Sequence, residues 1–199
     1  MVRPRSEKKD QALVEAATRL FLRDGIKATT VQSLAREAGV GTGTVYTYFK
    51  DKKDIVRTVA YEFAAVHDRL ARKTITSRKS PGSKLTDYIL ELYDIWRPFG
   101  QNSKAARELA EAVFAWAPET PDMAEQKTLD TLEAILSEAK QKGFKVDSPQ
   151  QEARLMAICL TPFFPLAGTP NERPWGKPLT RKDLESLLAW MLGKISPPR

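Results

Sequence analysis

Apolar residues recur along this chain with the spacing of α-helices rather than of strands. From Ser6 onward, Leu13, Ala16, Ala17, Leu20 and Phe21 fall at i, i+3, i+4, i+7 and i+8, one stripe of a helix. Gly25 is placed to stop it, since glycine accepts the left-handed conformation that closes a helix. The pattern predicts a second helix capped by Thr29, with Gln32 completing a capping box and Val31, Leu34, Ala35 and Ala38 as the buried face. Gly39 ends it, and only Val40 and Gly41 precede the next helical run, Thr42 to Phe49. Two short helices joined by a tight glycine-containing turn are the pattern of a helix-turn-helix. Asp51 then caps a longer helix, with Asp54 in its first turn and a stripe of Ile55, Val59, Phe63, Val66 and Leu70 running toward residue 76.

Proline divides the chain. None occurs between Arg5 and Ser80, while twelve of the thirteen lie from Pro81 onward. The polar stretch Ser77 to Ser83 is predicted to be a breaker-rich loop and a seam. Beyond it, helices are expected near 84–97, 103–116, 121–142, 149–167 and 180–194. Ser148-Pro149-Gln150-Gln151 reads as a cap, a proline at the first helical position and a glutamine at the third, and Thr180 with Asp183 forms a similar box. Lys140, Lys142 and Gly143 read as a helix C-terminus, and 168–179 as a proline-rich connector. With no strand alternation and no repeat, the predicted fold is all-α.

Composition narrows the function. The chain has 199 residues, 42% hydrophobic and 29% charged, as in ordinary globular proteins. Its longest uncharged stretch, Leu155 to Asn171, is too short and too broken by prolines for a membrane span, and the start reads as no secretory signal. A single cysteine, Cys159, excludes an intramolecular disulfide and suits a cytoplasmic location. It is expected to be a small core residue. One histidine and one cysteine also leave no Cys/His zinc site, so neither metal nor cofactor is expected. There is no nucleophile–base set for an enzyme, and Glu108 and Glu111 are spaced like a solvated helix face. The net charge of +7 is uneven: residues 1–60 hold 12 Lys/Arg against 7 Asp/Glu, a balance of +5. The remainder holds 20 against 18, a balance of +2. A basic bias at one end fits a polyanionic partner, though excess charge also serves solubility.

The run Gly41 to Lys50 has the chemistry of a recognition helix. Gly43 removes bulk, so that backbone amides can approach a phosphate. Thr42, Thr44 and Thr47 offer short hydroxyls, and their methyls can touch a thymine methyl. Tyr46 and Tyr48 can reach phosphates, Val45 and Phe49 anchor the helix, and Lys50, Lys52 and Lys53 place cations nearby. Read without further context, the same run also fits a Gly/Thr-rich turn in a helical bundle, with its aromatics in the core.

The segment AREAGVGTGTVYTYFKDKKDIV resembles the N-terminal domain of the tetracycline-repressor (TetR) family of bacterial transcriptional regulators. The resemblance covers about residues 7–60 and rests on Gly39-Val40, Gly43-Thr44, Tyr46-x-Tyr48-Phe49 and Lys52 together. It implies a three-helix DNA-binding domain over 1–52 and a helical regulatory and dimerisation domain over 53–199. It also implies that Thr30 starts the helix braced against the DNA backbone, that Thr42, Thr44, Tyr46 and Thr47 face DNA, and that Tyr48 and Lys52 meet phosphates. Lys50 stands at a variable position where it can add a contact. Gly41 departs from the Ser or Thr common in the family, which loses a hydroxyl but keeps a cap. Arg3, Arg5, Lys8 and Lys9 form a basic arm that either flanks a groove or is a solvated tail.

The family plan further implies a homodimer through the last two helices, reading a double-stranded operator, and a small-molecule effector. The apolar residues of 149–167 and 180–194 exceed what one buried face needs, which suits such an interface, although burial within one chain would use them too. The aromatic supply of the body fits a small hydrophobic or aromatic ligand, with Phe63, Val66, His67, Tyr88, Leu92, Trp96, Phe114 and Met156 as candidate lining. Each can equally be plain core. His67 can bind a ligand carboxylate or be a surface or hydrogen-bonded histidine. The expectation is a repressor released from DNA by its ligand; the alternative is a ligand-independent regulator whose C-terminal domain only dimerises or recruits a partner.

Overall fold

The stripe Leu13, Ala16, Ala17, Leu20 and Phe21 is fully buried along one side of α1, Glu7–Asp24, in the computed structural model. The structure describes residues 7–100, 103–164 and 179–194. Gly25 follows α1 at φ 85° and lets the chain turn where an L side chain would be strained. Next come α2, Val31–Glu37, and α3, Thr42–Tyr48. The cap of α2 lies one residue later than predicted. Thr30 accepts from the Ser33 amide at 3.0 Å while Ser33 Oγ accepts from the Thr30 amide at 2.9 Å. Thr29 is instead buried, donating its hydroxyl to the Gly25 carbonyl at 2.8 Å. Two adjacent threonines each have a polar residue three places on; the turn from Gly25 uses the first, which leaves the second to cap.

The long helix α4, Lys52–Thr76, opens on Asp51, whose carboxylate accepts from the Asp54 amide at 2.8 Å. The polar stretch 77–83 is shorter as a loop than expected, since α5, Pro81–Gly100, already starts at Pro81. Ser80 caps it through the Ser83 amide at 3.2 Å, with proline at the first helical position, where its missing N–H costs nothing. Then follow α6, Ser103–Trp116, and α7, Glu119–Gln141. The next helix, α8, covers Pro149–Leu160 and ends before the predicted residue 167. Pro162 has no N–H to continue the ladder, and Thr161–Phe163 tightens into a 3₁₀ turn. The last described helix is α9, Arg181–Lys194, where Thr180 and Asp183 form the expected reciprocal cap. No strand occurs among the described residues, and the fold is all-α.

The described chain forms two compact units. The head gathers 7–64 with 99–100 and 103–121, and the body gathers 65–98, 122–164 and 179–194. The boundary drawn from sequence at residue 52 marks the start of α4, whereas the units change within α4, between Ala64 and Ala65. Helix α6 belongs to the head, where Leu109 and Ala112 join the buried cluster of α1, α2, α3 and the start of α4. The body core is built from Leu85, Tyr88, Ile89 and Leu92 of α5, Leu132, Ile135 and Leu136 of α7, Met156 and Leu160 of α8, and Leu184 and Leu188 of α9. Beside it, the buried Lys84 ammonium donates to the Ile75 carbonyl at 3.0 Å and to Glu138 at 2.7 Å, so its charge is paired and two of its three protons are bonded.

Candidate nucleic-acid interface

The turn between α2 and α3 sets the geometry of the site. Gly39 takes φ 66°, which lets Val40 N–H reach the Ala35 carbonyl at 2.9 Å and Gly39 N–H reach the Arg36 carbonyl at 3.2 Å. This pair of bonds closes α2 within one residue and frees the chain to start α3 at once. Gly41 caps α3 in an extended conformation without a side-chain bond, as its lack of a hydroxyl implies.

Helix α3 is only seven residues long, so its direction depends on what it buries. Val45, Tyr48 and Phe49 point into the head core with Leu34 of α2 and Phe21 of α1. The opposite side carries Thr42, Gly43, Tyr46 and Thr47, all exposed, with Thr44 half-buried beside them. Tyr46 is 65% exposed while Tyr48, two residues on, is 8% exposed. The two tyrosines therefore differ: one stands in solvent with its phenol, and the ring of the other anchors the helix. Thr47 donates its hydroxyl to the Gly43 carbonyl at 3.0 Å.

Lys50 is exposed just after α3, and its backbone amide is held by Asp54 at 3.1 Å. Lys52 is half-buried and donates one ammonium proton to the Ile26 carbonyl at 2.9 Å. An ammonium has three protons, so this bond fixes the cation without using it up. Lys53 lies over the Trp116 ring, 5.8 Å from its centre. A cleft of about 40 Å³ brings Thr30, Tyr46, Lys50 and Lys52 to one place over a floor that includes Phe21 and Val45. Lys8 and Lys9 are exposed at the start of α1, whereas Arg3 and Arg5 lie outside the described residues.

The eight residues expected to line a ligand pocket are shared between the two units. Phe63 and Phe114 fall in the head. There Phe63 packs edge-on against Phe99 at 5.0 Å, and Phe114 is 57% exposed because α6 turns Leu109 and Ala112 inward instead. In the body, Tyr88, Leu92 and Met156 share one core cluster, with Trp96 packed against it. His67 is buried and edge-on to Trp96 at 6.4 Å, and Val66 is half-buried. Burial pushes the His67 pKa down to about 4, so the ring is neutral at neutral pH. The same desolvation raises that of Tyr88, against which the Thr128 and Thr131 hydroxyls work. Trp175 and most of the 168–179 connector lie outside the described residues.

Cys159 is exposed rather than in the core. Ala153, Met156 and Leu160 take the inner face of α8, which leaves Leu155, Ile158 and Cys159 outward. Ile158 is 68% exposed and Trp190 on α9 is 60% exposed. Glu108, read from sequence as a solvated face, accepts from the Lys27 amide at 3.3 Å. Its partner is 81 positions away, and no local spacing signals such a bond.

A capped bracing helix, a glycine turn and a short helix with a polar outer face define a helix-turn-helix of the kind that docks in a DNA groove. Residues 13–59 match the family of bacterial regulatory proteins, tetR family. Residues 13–59 thus carry the N-terminal domain of that family. Over 50 residues it is 46% identical to the HTH-type transcriptional regulator HbdR of Aromatoleum sp. (strain CIB), covering 25% of this chain and 22% of that one. Over 89 residues it is 32% identical to the HTH-type transcriptional repressor KstR2 of Mycolicibacterium smegmatis, covering 45% of this chain and 43% of that one. The matches thus span less than half the length of these curated relatives. The fold extends further: a crystal structure of a transcriptional regulator from Cytophaga hutchinsonii is similar with TM-score 0.64 and 22% identity, covering 93% of each chain. No helix among the described residues is long and apolar enough to cross a membrane.

Proposed function

We propose that this protein is a dimeric, sequence-specific DNA-binding transcriptional regulator of the cytoplasm, acting as a repressor released from its operator by a small hydrophobic or aromatic ligand. The observation that carries the DNA-binding reading is the outward face of α3, where Thr42, Thr47 and the 65% exposed Tyr46 stand together beside Lys50. Thr42, Thr44 and Thr47 then read base edges, with Gly43 allowing close approach. Thr30, Tyr46, Lys50 and Lys52 hold phosphates, and Tyr48, its ring buried in the head core, has only its phenol oxygen to offer one. Two such heads on one dimer read two half-sites about one helical turn or more apart. The exposed Leu155, Ile158 and Trp190 of α8 and α9 support pairing of two copies through these helices. Nothing in this assignment requires catalysis.

Selection of binding sites from random duplexes tests the reading. An enriched motif with two related halves is expected, and Thr42→Ala or Thr47→Ala should change the preferred bases. No enrichment, or the same motif from parent and variants, would refute the assigned base contacts. Ligand control rests on the aromatic body, where Tyr88, Trp96 and His67 offer an apolar surround with a few polar atoms. A metabolite screen for release from the selected site separates it from ligand-independent regulation.

A further inference from the structure

The turn from Gly25 to Lys27 joins α1 to the helix-turn-helix, and two side chains from distant parts of the head hold its backbone. Lys52 donates to the Ile26 carbonyl at 2.9 Å. Glu108 of α6 accepts from the Lys27 amide at 3.3 Å. The fit is close: a Cβ at Gly25 would stand 2.7 Å from Glu108 Oε2 and 3.3 Å from its carboxyl carbon. Glycine at this position therefore meets two needs, the positive φ and the room for the carboxylate. The rest of α6 is seated in the same unit, with Leu109 and Ala112 in the head core and Trp116 under the Lys53 ammonium.

We propose that Glu108 is a positioning residue for operator binding. By fixing the Lys27 amide it sets where α2 begins, and so where the α2–α3 pair stands against α1. The inference rests on the DNA-binding reading above. Thr30, which caps α2, follows Lys27 by three residues. Between them Thr29 closes the turn through its amide and hydroxyl, both on the Gly25 carbonyl at 3.2 and 2.8 Å. A turn closed on itself in this way moves as a piece, so releasing Lys27 shifts Thr30. Because α2 and α3 are seven residues each, they have too little helix of their own to resist that shift.

The test compares the full chain with Glu108→Ala, Glu108→Gln and Glu108→Asp on a duplex carrying the site selected by the wild type. Amide exchange at Lys27 and thermal unfolding are followed in parallel. Losing one hydrogen bond to a charged acceptor should weaken binding by about fivefold or more in Glu108→Ala. Glu108→Asp, which keeps the charge but withdraws the acceptor, should behave like it and answers the question if the alanine variant does not fold. Glu108→Gln retains an acceptor oxygen and should restore both affinity and the protection of Lys27. Wild-type affinity in the alanine or aspartate variant, with only the melting temperature lowered, would show a purely stabilising contact and overturn the proposal. So would a glutamine variant as weak as alanine. A wild type that selects no DNA would refute the functional reading itself, and this inference with it.

Discussion

Acid should destabilise the body through one side chain. His67 is the only histidine of the chain, and it is 2% exposed with its ring edge-on to Trp96. Desolvation lowers its pKa from 6.5 to about 4, and the Ala124 backbone opposes this weakly. Between those values the unfolded chain binds a proton that the folded chain does not, so stability falls as pH falls. The loss is absent above about pH 6.5 and complete below about pH 4. A shift from 6.5 to about 4, at about 1.4 kcal/mol per unit, corresponds to about 3 kcal/mol. The carboxylates of Asp68, paired with Lys127, and Glu138, paired with Lys142 and Lys84, also weaken the fold in acid. They do so equally in a His67→Gln variant, which has a neutral side chain at every pH. Denaturant unfolding of the two proteins in steps from pH 7 to 4, followed by tryptophan fluorescence, isolates the histidine. The wild type should lose about 3 kcal/mol more than the variant across that range. A single histidine also gives an unambiguous imidazole proton signal, whose titration reads the folded pKa directly. Parallel stability curves, or a folded-state midpoint near 6.5, would refute the reasoning.

Three further outcomes follow from the head and the outer helices. Thr30→Ala removes the hydroxyl that caps α2 and should lower stability by about 1 kcal/mol in urea unfolding, with no effect expected from Gln32→Ala, whose side chain takes no part in the observed capping box. Lys52→Ala removes both the Ile26 bond and a cation; the slope of log affinity against log salt should fall by about one, and an unchanged slope would remove the phosphate role. Ile158→Lys with Trp190→Glu charges the exposed apolar faces of α8 and α9 and should shift sedimentation toward the monomer with helicity retained, whereas an unchanged dimer would place the interface elsewhere.

Legibility in the sequence followed the range of the interaction. Local bonds were readable: the Gly39 turn, the Asp51 cap and the Thr180–Asp183 pair each lie within a few residues and appear where the spacing predicts them. Where two local solutions competed, the sequence was ambiguous. Thr29 and Thr30 can each cap α2, and only the bond from Thr29 back to Gly25 decides between them. The breaker-rich stretch 77–83 is ambiguous for a related reason, since proline breaks a helix interior but opens a helix at its first turn, as at Pro81. Facing was harder still. Tyr46 and Tyr48 have the same chemistry, and their opposite exposure is set by packing, on a helix that starts at the predicted Thr42 and ends one residue before the predicted Phe49. Cys159 was read inward because α8 is apolar on more than one face. Which unit each aromatic joins was not legible at all. Phe63 and Phe114 carry the right composition, but their unit is decided by packing between segments far apart in the chain.

The same distinction bears on how the head works. Most of the residues proposed to meet DNA are legible, because all but Thr30 and Lys52 lie in one decapeptide, Gly41 to Lys50, of recognisable chemistry. Residues that aim them are scattered. Helix α3 gains its direction from Val45, Tyr48 and Phe49 packed on Leu34 and Phe21, and that cluster is completed by Leu109 and Ala112, which follow more than sixty residues after α3 in the sequence. Each of these is buried in a well-filled core, where truncating a large side chain costs about 2–5 kcal/mol. The exposed threonines cost the fold almost nothing to replace. Sequence preference and head orientation should therefore be separable by mutation: on the proposed reading, changes at Thr42 or Thr47 should alter which bases are preferred, while changes at Leu109 or Glu108 should weaken binding to every sequence alike.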